Sequence, residues 1–206
     1  MPVVNILKTR IKSVFPNKQI EEILGKLPFV GLDIEGLDKS KIRVEYNPNR
    51  PDFSSDTGIF RTLKGLLNET VGLPSFKYSS DKSYQITIDP KVKEIRPILL
   101  FFVAKNTNIN NFILNQLISM QEDLHNGIAR ARKKAAIGIH DLNTIEFPLN
   151  YSTKSRQESF IPLDQTQPFR LKEILSDLEV GKRYSSLIKN INLYPTISDT
   201  KNQIIS

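Results

Sequence analysis

A histidine and an aspartate, His140 and Asp141, stand side by side at the end of "RKKAAIGIHDL", residues 132–142. An imidazole beside a carboxylate can orient a water or a substrate group, and the aspartate can fix the tautomer of the imidazole. The same two residues can instead cap a turn. We therefore take His140 and Asp141 as candidate catalytic residues and keep the capping interpretation open.

Four cations precede this pair: Arg130, Arg132, Lys133 and Lys134. They follow a strongly helical pattern, and positive charge is stabilised at the carbonyl-rich end of a helix even without a ligand. The same cluster can contact phosphates, in which case binding falls steeply with salt. Both interpretations stay open from the residues alone.

The segment "NPNRPDF", residues 47–53, is unusual because Pro48 and Pro51 restrict the backbone and push the residues before them toward extended conformations. Arg50 and Asp52 are then expected to project from a rigid turn. The simpler interpretation is a connector between a strand and a helix, in which Asp52 or a nearby serine caps the helix and Arg50 pairs with a carboxylate. We favour the connector.

Several kinds of chemistry lack their signatures. The chain has no cysteine, so it has no disulfides and no thiolate metal site, and it suits a reducing compartment. Its two histidines, His125 and His140, are not at helical metal-ligand spacing, and neither a phosphate-binding P-loop nor a nucleophile elbow is present. We expect no metal site.

The charge balance points to an anionic partner. The chain of 206 residues has a net charge of +7, and for a protein inside the cell nucleic acid is the first candidate. The N-terminus lacks the apolar core of a secretory signal, and the longest apolar run, residues 98–104, is too short to cross a bilayer. We expect a cytoplasmic protein without a membrane span.

In the first third of the chain the pattern predicts a helix, a strand and a second helix, over residues 17–27, 41–47 and 55–67. Asn17 can cap the first helix, and Ser54, Ser55 or Asp56 can cap the second. The strand alternates apolar and charged side chains, as a half-buried strand does.

A polar stretch at residues 75–83 is the best candidate for a domain junction. Beyond it the pattern predicts strands at 83–89, 96–106 and 135–139, a long amphipathic helix at 108–127, two short helices within 169–191 that are separated near Gly181, and a hairpin around 199–202. The very apolar second strand should be central in a sheet. This order favours an α+β fold over a doubly wound sheet.

These segments also carry a resemblance. "NPNRPDF", "GIFRTLKGLL", "RPILLFFVAKN", "QLISMQEDLHNGIARARKKAAIGIHDLNTI", "SFIPLDQT" and "YPTISDTKNQIIS" resemble, in this order, the N-terminal half of the phenylalanyl-tRNA synthetase beta subunit of the archaeal and eukaryotic type. The resemblance covers nearly the whole chain. Its most specific pieces are "RKKAAIGIHDL" and "NRPD", that is Asn49, Arg50, Pro51 and Asp52.

The resemblance implies a small N-terminal α+β domain at residues 1–78 and a larger mixed-sheet central domain of the editing type at residues 82–206. Because the family's pattern continues beyond "QIIS", we expect the central domain to be truncated at its C-terminal end. The expected partners are tRNA(Phe) and the alpha subunit. No cofactor is expected in this chain, since ATP and magnesium would serve only the intact synthetase, and the chain should not charge tRNA alone.

The resemblance further implies hydrolytic editing of Tyr-tRNA(Phe), because an apolar pocket for phenylalanine rejects tyrosine only weakly. It places Arg130, Arg132, Lys133 and Lys134 near the acceptor end of the tRNA, and His140 and Asp141 at the hydrolytic pocket. The motif Asn49–Asp52 is expected to serve the architecture. The alternatives are a non-enzymatic tRNA-binding or subunit-assembly module, or a scaffold only.

Overall fold

The structure is a computed structural model that describes residues 2–188 and 190–206. The chain forms two compact units: the first unit is Met1–Lys77 with Asn108–Ile137, and the second unit is Tyr78–Thr107 with Gly138–Ser206. Residues 108–137 therefore pack with the N-terminal residues rather than with the second unit. The predicted domains at residues 1–78 and 82–206 are segments that are expected to fold independently. Packing alone does not test independent folding, so this division stays a prediction.

Among its described residues, the first unit contains a three-stranded sheet and four α-helices. Its elements are β1 (Val3–Leu7), α1 (Lys8–Val14), α2 (Ile20–Leu24), β2 (Asp33–Leu37), β3 (Lys41–Glu45), α3 (Asp56–Leu66) and α4 (Asn111–Asn126). The sheet order is β1-β3-β2, and both pairings are antiparallel. The strand, the second helix and the long helix predicted from the sequence are present in this unit.

Alternation along β3 builds the core of the first unit. Ile42 and Val44 are fully buried and face Ile6 and Val4 of β1 across the sheet, while Arg43 between them is exposed. A period of two places every second side chain on one face, so the apolar residues meet the helices. The buried cluster includes Ile11, Phe15, Ile23, Leu27, Phe53, Ile59, Phe60 and Leu63.

Helix α3 begins as one of the expected caps requires. The Ser55 side chain accepts a hydrogen bond from the Gly58 N–H at 3.4 Å, which satisfies one of the free donors of the first turn. Glycine is a poor helix former, but Gly58 in this helix has a packing role. A Cβ at this position would overlap the carbonyl group of Asp52, so the connector packs against the helix only because this residue is glycine.

The predicted helix at 17–27 is shorter than expected. Helix α2 ends at Leu24, and a 3-10 turn at Leu27–Val30 follows, because Pro28 near the start of that turn interrupts helical hydrogen bonding. The residue at its N-cap is Gln19, without a side-chain hydrogen bond, so the proposed cap by Asn17 is wrong.

The second unit contains short strands and two short helices. Its elements are β4 (Ile86–Ile88), β5 (Leu149–Ser155), β6 (Ser159–Phe160), β7 (Phe169–Arg170), α5 (Leu171–Asp177), α6 (Glu179–Tyr184) and β8 (Leu193–Ser198). In the β4-β5-β8 sheet, β5 pairs parallel with β4 and antiparallel with β8. The mixed α+β fold class is thus confirmed.

Two predicted strands of the second half are wrong. Residues 96–106 and 135–139 are in neither a helix nor a strand, and Leu100 and Phe102 are 89% and 90% exposed. An apolar run indicates a tendency to be buried, but a strand also needs a neighbouring strand for its backbone hydrogen bonds. None of the described strands pairs with either segment.

The C-terminal elements follow the prediction with one shift. The two short helices are present, but they are separated at Leu178 rather than near Gly181. Gly181 lies inside α6, where a Cβ would overlap the carbonyl of Ile174, so it allows α5 and α6 to approach closely. The predicted second helix also extended over residue 189, which lies outside the described residues.

The hairpin around residues 199–202 is confirmed. The Asp199 N–H donates to the Gln203 carbonyl at 3.0 Å, and an antiparallel bridge joins Ser198 to Ile204. Asn202 has a φ of 61°, a left-handed conformation that asparagine tolerates in turns. Within the described part of the chain, no helix is both long enough and apolar enough to cross a membrane.

Candidate functional site

The four predicted RNA-binding cations lie on one turn, residues 129–137, which follows α4 and which we call the basic turn. Arg130, Ala131 and Arg132 have φ angles of 50°, 52° and 64°. A left-handed conformation costs an L-residue about 1–2 kcal/mol. Three in succession need strong contacts from their surroundings.

Backbone hydrogen bonds supply part of this support. The Lys134 N–H donates to the Ala129 carbonyl at 2.9 Å, and the Arg132 N–H donates to the His125 carbonyl at 3.3 Å. Arg130, Lys133 and Lys134 are exposed, whereas Arg132 is partly buried. The structure therefore brings the four cations together but distinguishes Arg132 from the other three.

Arg132 is held by Glu122 of α4. Its Nη2 donates to Glu122 Oε1 at 2.8 Å, and the same carboxylate lies 3.3 Å from Nδ1 of His125. Partial burial raises the pKa of Glu122, but the hydrogen bond from His125 and the nearby charge of Arg132 outweigh it, so this pKa lies below its usual value. Glu122 thus links the helix to the turn as a carboxylate.

His125 is fully buried, and its Nε2 accepts the Ile137 N–H at 2.8 Å. Because a backbone N–H can only donate, the ring proton must be on Nδ1, where it faces Glu122. From the sequence, His125 was considered only as a possible metal ligand, and neither Glu122 nor His125 was predicted to be part of this site. The signal was a glutamate three positions before a histidine, a spacing that places the two side chains together on a helix.

A cleft of about 260 Å³ lies in the same unit. It is lined by Pro2, Tyr46, Pro48, Pro51, Asp123, Asn126, Gly127 and Ile128. The Tyr46 hydroxyl donates to Asp123 Oδ2 at 2.6 Å, and burial together with this bond raises the pKa of Tyr46. This bond ties the residue after β3 to the last turn of α4.

The motif Asn49–Asp52 makes the contacts of a connector. Two nitrogens of Arg50 donate to the two carboxylate oxygens of Asp52 at 2.9 and 2.7 Å, and its guanidinium lies 3.8 Å from the centre of the Phe53 ring. The hydrogen bond from Arg50 lowers the pKa of Asp52. The Arg50 N–H also closes a turn through Pro48 and Asn49 by donating to the Asn47 carbonyl.

His140 and Asp141 are exposed residues of the second unit, whereas the basic turn belongs to the first. Asp141 Oδ1 accepts from the backbone N–H and the side-chain amide of Asn143, both at 2.9 Å, and starts the 3-10 turn Leu142–Thr144. These contacts are those of the capping interpretation. The catalytic role of the two residues stays a prediction.

His140 also packs closely on its own chain. A Cβ added to Gly138 would lie 2.7 Å from its Nε2, so glycine at 138 leaves room for the imidazole. Among the described residues, no group of three or more histidine, aspartate or glutamate side chains is placed to hold a metal ion.

No protein-family model matches the chain. It is 33% identical over 206 residues to the phenylalanine–tRNA ligase beta subunit of Methanococcoides burtonii and 37% identical over 207 residues to that of Archaeoglobus fulgidus. These matches cover 100% of this chain and 38% and 37% of those proteins, so the chain spans well under half the length of the curated relatives it matches.

A solved structure is similar over the whole chain. The crystal structure of an N-terminal fragment of the phenylalanyl-tRNA synthetase beta subunit from Pyrococcus horikoshii matches with a TM-score of 0.91 and 26% sequence identity. The match covers 100% of this chain and 60% of that one.

Proposed function

We propose that this chain, which is similar to phenylalanine–tRNA ligase beta subunits, acts as part of this aminoacyl-tRNA synthetase in protein biosynthesis. The observation that carries the proposal is the likeness of the whole chain, in sequence and in fold, to beta subunits and to an N-terminal beta-subunit fragment. Its partners are the alpha subunit and tRNA(Phe), and its location is the cytoplasm.

Under this proposal the chain supports aminoacylation without performing it. ATP and magnesium belong to the synthetic site of the intact ligase, outside this chain. The test is to assemble the alpha subunit with a beta subunit that carries this sequence and to measure ATP-dependent charging of tRNA(Phe) with phenylalanine. Assembly without charging, under conditions in which a related ligase is active, would contradict the proposal.

The finer proposal is that the chain contributes to hydrolysis of Tyr-tRNA(Phe). A pocket that rejects tyrosine must exclude a single hydroxyl, and apolar contacts give a discrimination of only about 10². A second pocket that hydrogen-bonds this hydroxyl penalises phenylalanine, because its polar group is then left unpaired. Ester hydrolysis there requires an aligned water and donors for the oxyanion, and no nucleophilic side chain.

His140 and Asp141 are the candidates for orienting that water. We expect Asp141→Asn and His140→Ala to lower the rate of Tyr-tRNA(Phe) deacylation by about 10²-fold in the assembled ligase. Asp89→Asn is a matched control, since the Asp89 carboxylate caps another 3-10 turn of the second unit by accepting from the Lys91 N–H at 2.9 Å. If Asp141→Asn and Asp89→Asn lowered the deacylation rate equally, Asp141 would serve only as a cap of its 3-10 turn.

A non-enzymatic RNA-binding role is the second candidate, and the exposed cations of the basic turn favour it. We expect the double change Lys133→Glu and Lys134→Glu to weaken binding of tRNA(Phe) and to reduce the slope of affinity against salt by about two. Normal tRNA binding together with no deacylation above buffer would select this role over editing. If the double change altered neither the affinity for tRNA(Phe) nor its salt slope, a scaffold role would remain.

A further inference from the structure

We infer that Glu122 and His125 are positioning residues that hold the basic turn in the one conformation that binds RNA phosphates. This inference rests on the proposed RNA binding and names the two residues on which the geometry of that surface depends. Neither residue needs to touch the RNA.

His125 fixes the far end of the turn. Its imidazole is fully buried and accepts the Ile137 N–H at 2.8 Å, while its own carbonyl accepts the Arg132 N–H at 3.3 Å. One residue of α4 therefore holds two backbone points of the turn, five residues apart. With its buried side chain bonded to one of these points and its backbone carbonyl to the other, His125 allows the turn little freedom.

Glu122 fixes the middle of the turn. Its carboxylate accepts from Arg132 at 2.8 Å and faces the His125 Nδ1–H at 3.3 Å, so a single anion joins the histidine to the arginine. Arg132 is the last of the three left-handed residues. Without this anchor, the unfavourable backbone of residues 130–132 would lose a side-chain contact that opposes its relaxation.

The consequence for binding is preorganisation. Arg130, Lys133 and Lys134 are exposed on a backbone that is already ordered. RNA binding therefore does not carry the entropic cost of ordering this backbone. A carboxylate near a phosphate-binding surface is usually expected to weaken binding, and preorganisation of the turn predicts the opposite for Glu122. By charge alone, Glu122 repels RNA, and its removal should tighten binding.

The experiment uses this reversal. Glu122→Gln keeps an oxygen acceptor but removes the charge that strengthens the bonds to Arg132 and His125. It raises the net charge by one unit yet is expected to weaken the affinity for a tRNA(Phe) transcript by about fivefold and to lower the salt slope by about one. Glu179→Gln is the matched control, because Glu179 also pairs with an arginine, Arg183, at 3.3 Å and its loss changes the net charge equally. We expect the control to bind like the wild type or slightly tighter.

A second pair of variants tests His125. His125→Phe keeps an aromatic ring but removes the acceptor for the Ile137 N–H, and should weaken RNA binding at least as much as Glu122→Gln. His125→Gln retains an acceptor at similar reach and should restore part of the affinity. Hydrogen exchange at the amides of Arg132 and Ile137 should accelerate in the weakened variants.

The outcomes separate this inference from the proposed function. If the wild-type chain binds the RNA and Glu122→Gln binds equally or more tightly, the positioning role is overturned while RNA binding stands. If the wild-type chain does not bind the RNA, the RNA role and this inference both fail. If His125→Phe does not fold, Glu122→Gln, with a wild-type circular dichroism spectrum, decides alone.

Discussion

The two units of the chain use their apolar residues differently. The first unit buries a continuous cluster that reaches from Ile6 in the sheet to Leu63 in α3. In the second unit the buried cluster consists of Leu171, Tyr194 and Ile204, with partly buried neighbours. Large apolar side chains of that unit are exposed instead, including Ile98, Leu100, Phe102 and Leu163.

Apolar content alone therefore does not make a core. Residues 96–106 are among the most apolar in the chain, yet they have no strand partner among the described residues. The first unit succeeds because β3 lies between two strands and presents every second residue to helices α1, α2 and α3. Burial requires a matching surface as well as a hydrophobic residue.

The largest expected effect compares the two clusters directly. Leu63→Ala should lower the free energy of unfolding by about 4 kcal/mol, because it leaves a cavity in a closed core. Leu171→Ala should cost about 2 kcal/mol, since the smaller cluster can relax around the change. Urea unfolding followed by circular dichroism, with hydrogen exchange to assign the loss to each unit, measures both.

Leu100→Ala is the control, because this side chain is already exposed and its removal should change the free energy of unfolding by less than about 0.5 kcal/mol. A loss from Leu100→Ala as large as that from Leu63→Ala would break the comparison. It would mean that the exposed segment is buried in solution.

The second prediction concerns close approach of backbones, which both units use. Gly58→Ala in the first unit and Gly181→Ala in the second should each cost about 3 kcal/mol, because the added methyl group would overlap a backbone carbonyl. Gly65→Ala is the control, since its nearest atom beyond the helix is the Thr70 carbonyl oxygen at 3.7 Å. This helical change should stabilise by up to about 1 kcal/mol.

If Gly181→Ala were neutral while Gly58→Ala was costly, the packing of α5 against α6 would be loose. The two units would then differ more in packing tightness than their buried clusters alone indicate. Thermal unfolding of the three variants under one buffer condition provides the comparison.

The sequence predicts the first unit better than the second, for a physical reason. The alternation of β3 and the cap at Ser55 are local signals, and local signals decide elements whose partners are close in the chain. Strand β1 and helix α1 were missed. The strand expected at residues 96–106 depends on a distant partner, which no local pattern reveals.

The third prediction tests the hydrogen bond between Tyr46 and Asp123. Tyr46→Phe should lower the free energy of unfolding by about 2 kcal/mol, since it leaves a partly buried carboxylate without this donor. Because the pKa of Tyr46 is raised, its contribution is complete below the unfolded value near 10 and is lost as the pH rises through the folded value.

The alkaline part of the stability curve is the measurement that checks this sign. The wild-type chain should lose more stability than Tyr46→Phe between about pH 9 and pH 11. Tyr78→Phe is the control, because Tyr78 is almost fully exposed. Parallel curves for the wild type and Tyr46→Phe would show that the bond does not persist in solution.

The candidate site was predicted in part. The sequence places Arg130, Arg132, Lys133 and Lys134 within five consecutive positions, so their proximity needed no structure. The fixing of Arg132 by Glu122 depends on how the chain reverses after α4, and three left-handed residues that are not glycine give no compositional signal. For the same reason, the hydrogen bond that the Ile137 N–H donates to His125 could not be predicted from a single histidine in a helix.

The last prediction compares one carboxylate in each unit. The Ser83 hydroxyl and backbone N–H donate to Asp81 at 2.5 and 3.0 Å and lower its pKa to about 2, with a smaller contribution from Lys105. Asp52 in the first unit also has a lowered pKa, but its main cause is the Arg50 guanidinium. Both groups therefore stabilise the fold above the unfolded value near 3.9 and lose this contribution as the pH falls through the folded value.

Salt should separate the two cases, because screening acts on charges more than on hydrogen bonds from a hydroxyl and an amide. Both carboxyl groups can be titrated by NMR without added salt and in about 0.5 M NaCl. The added salt should change the pKa of Asp52 more than that of Asp81. Ser83→Ala should raise the pKa of Asp81 more than Lys105→Met does. The reverse order would mean that Asp81 depends on its cation as Asp52 does, and the two units would then not differ in how they hold an exposed charge.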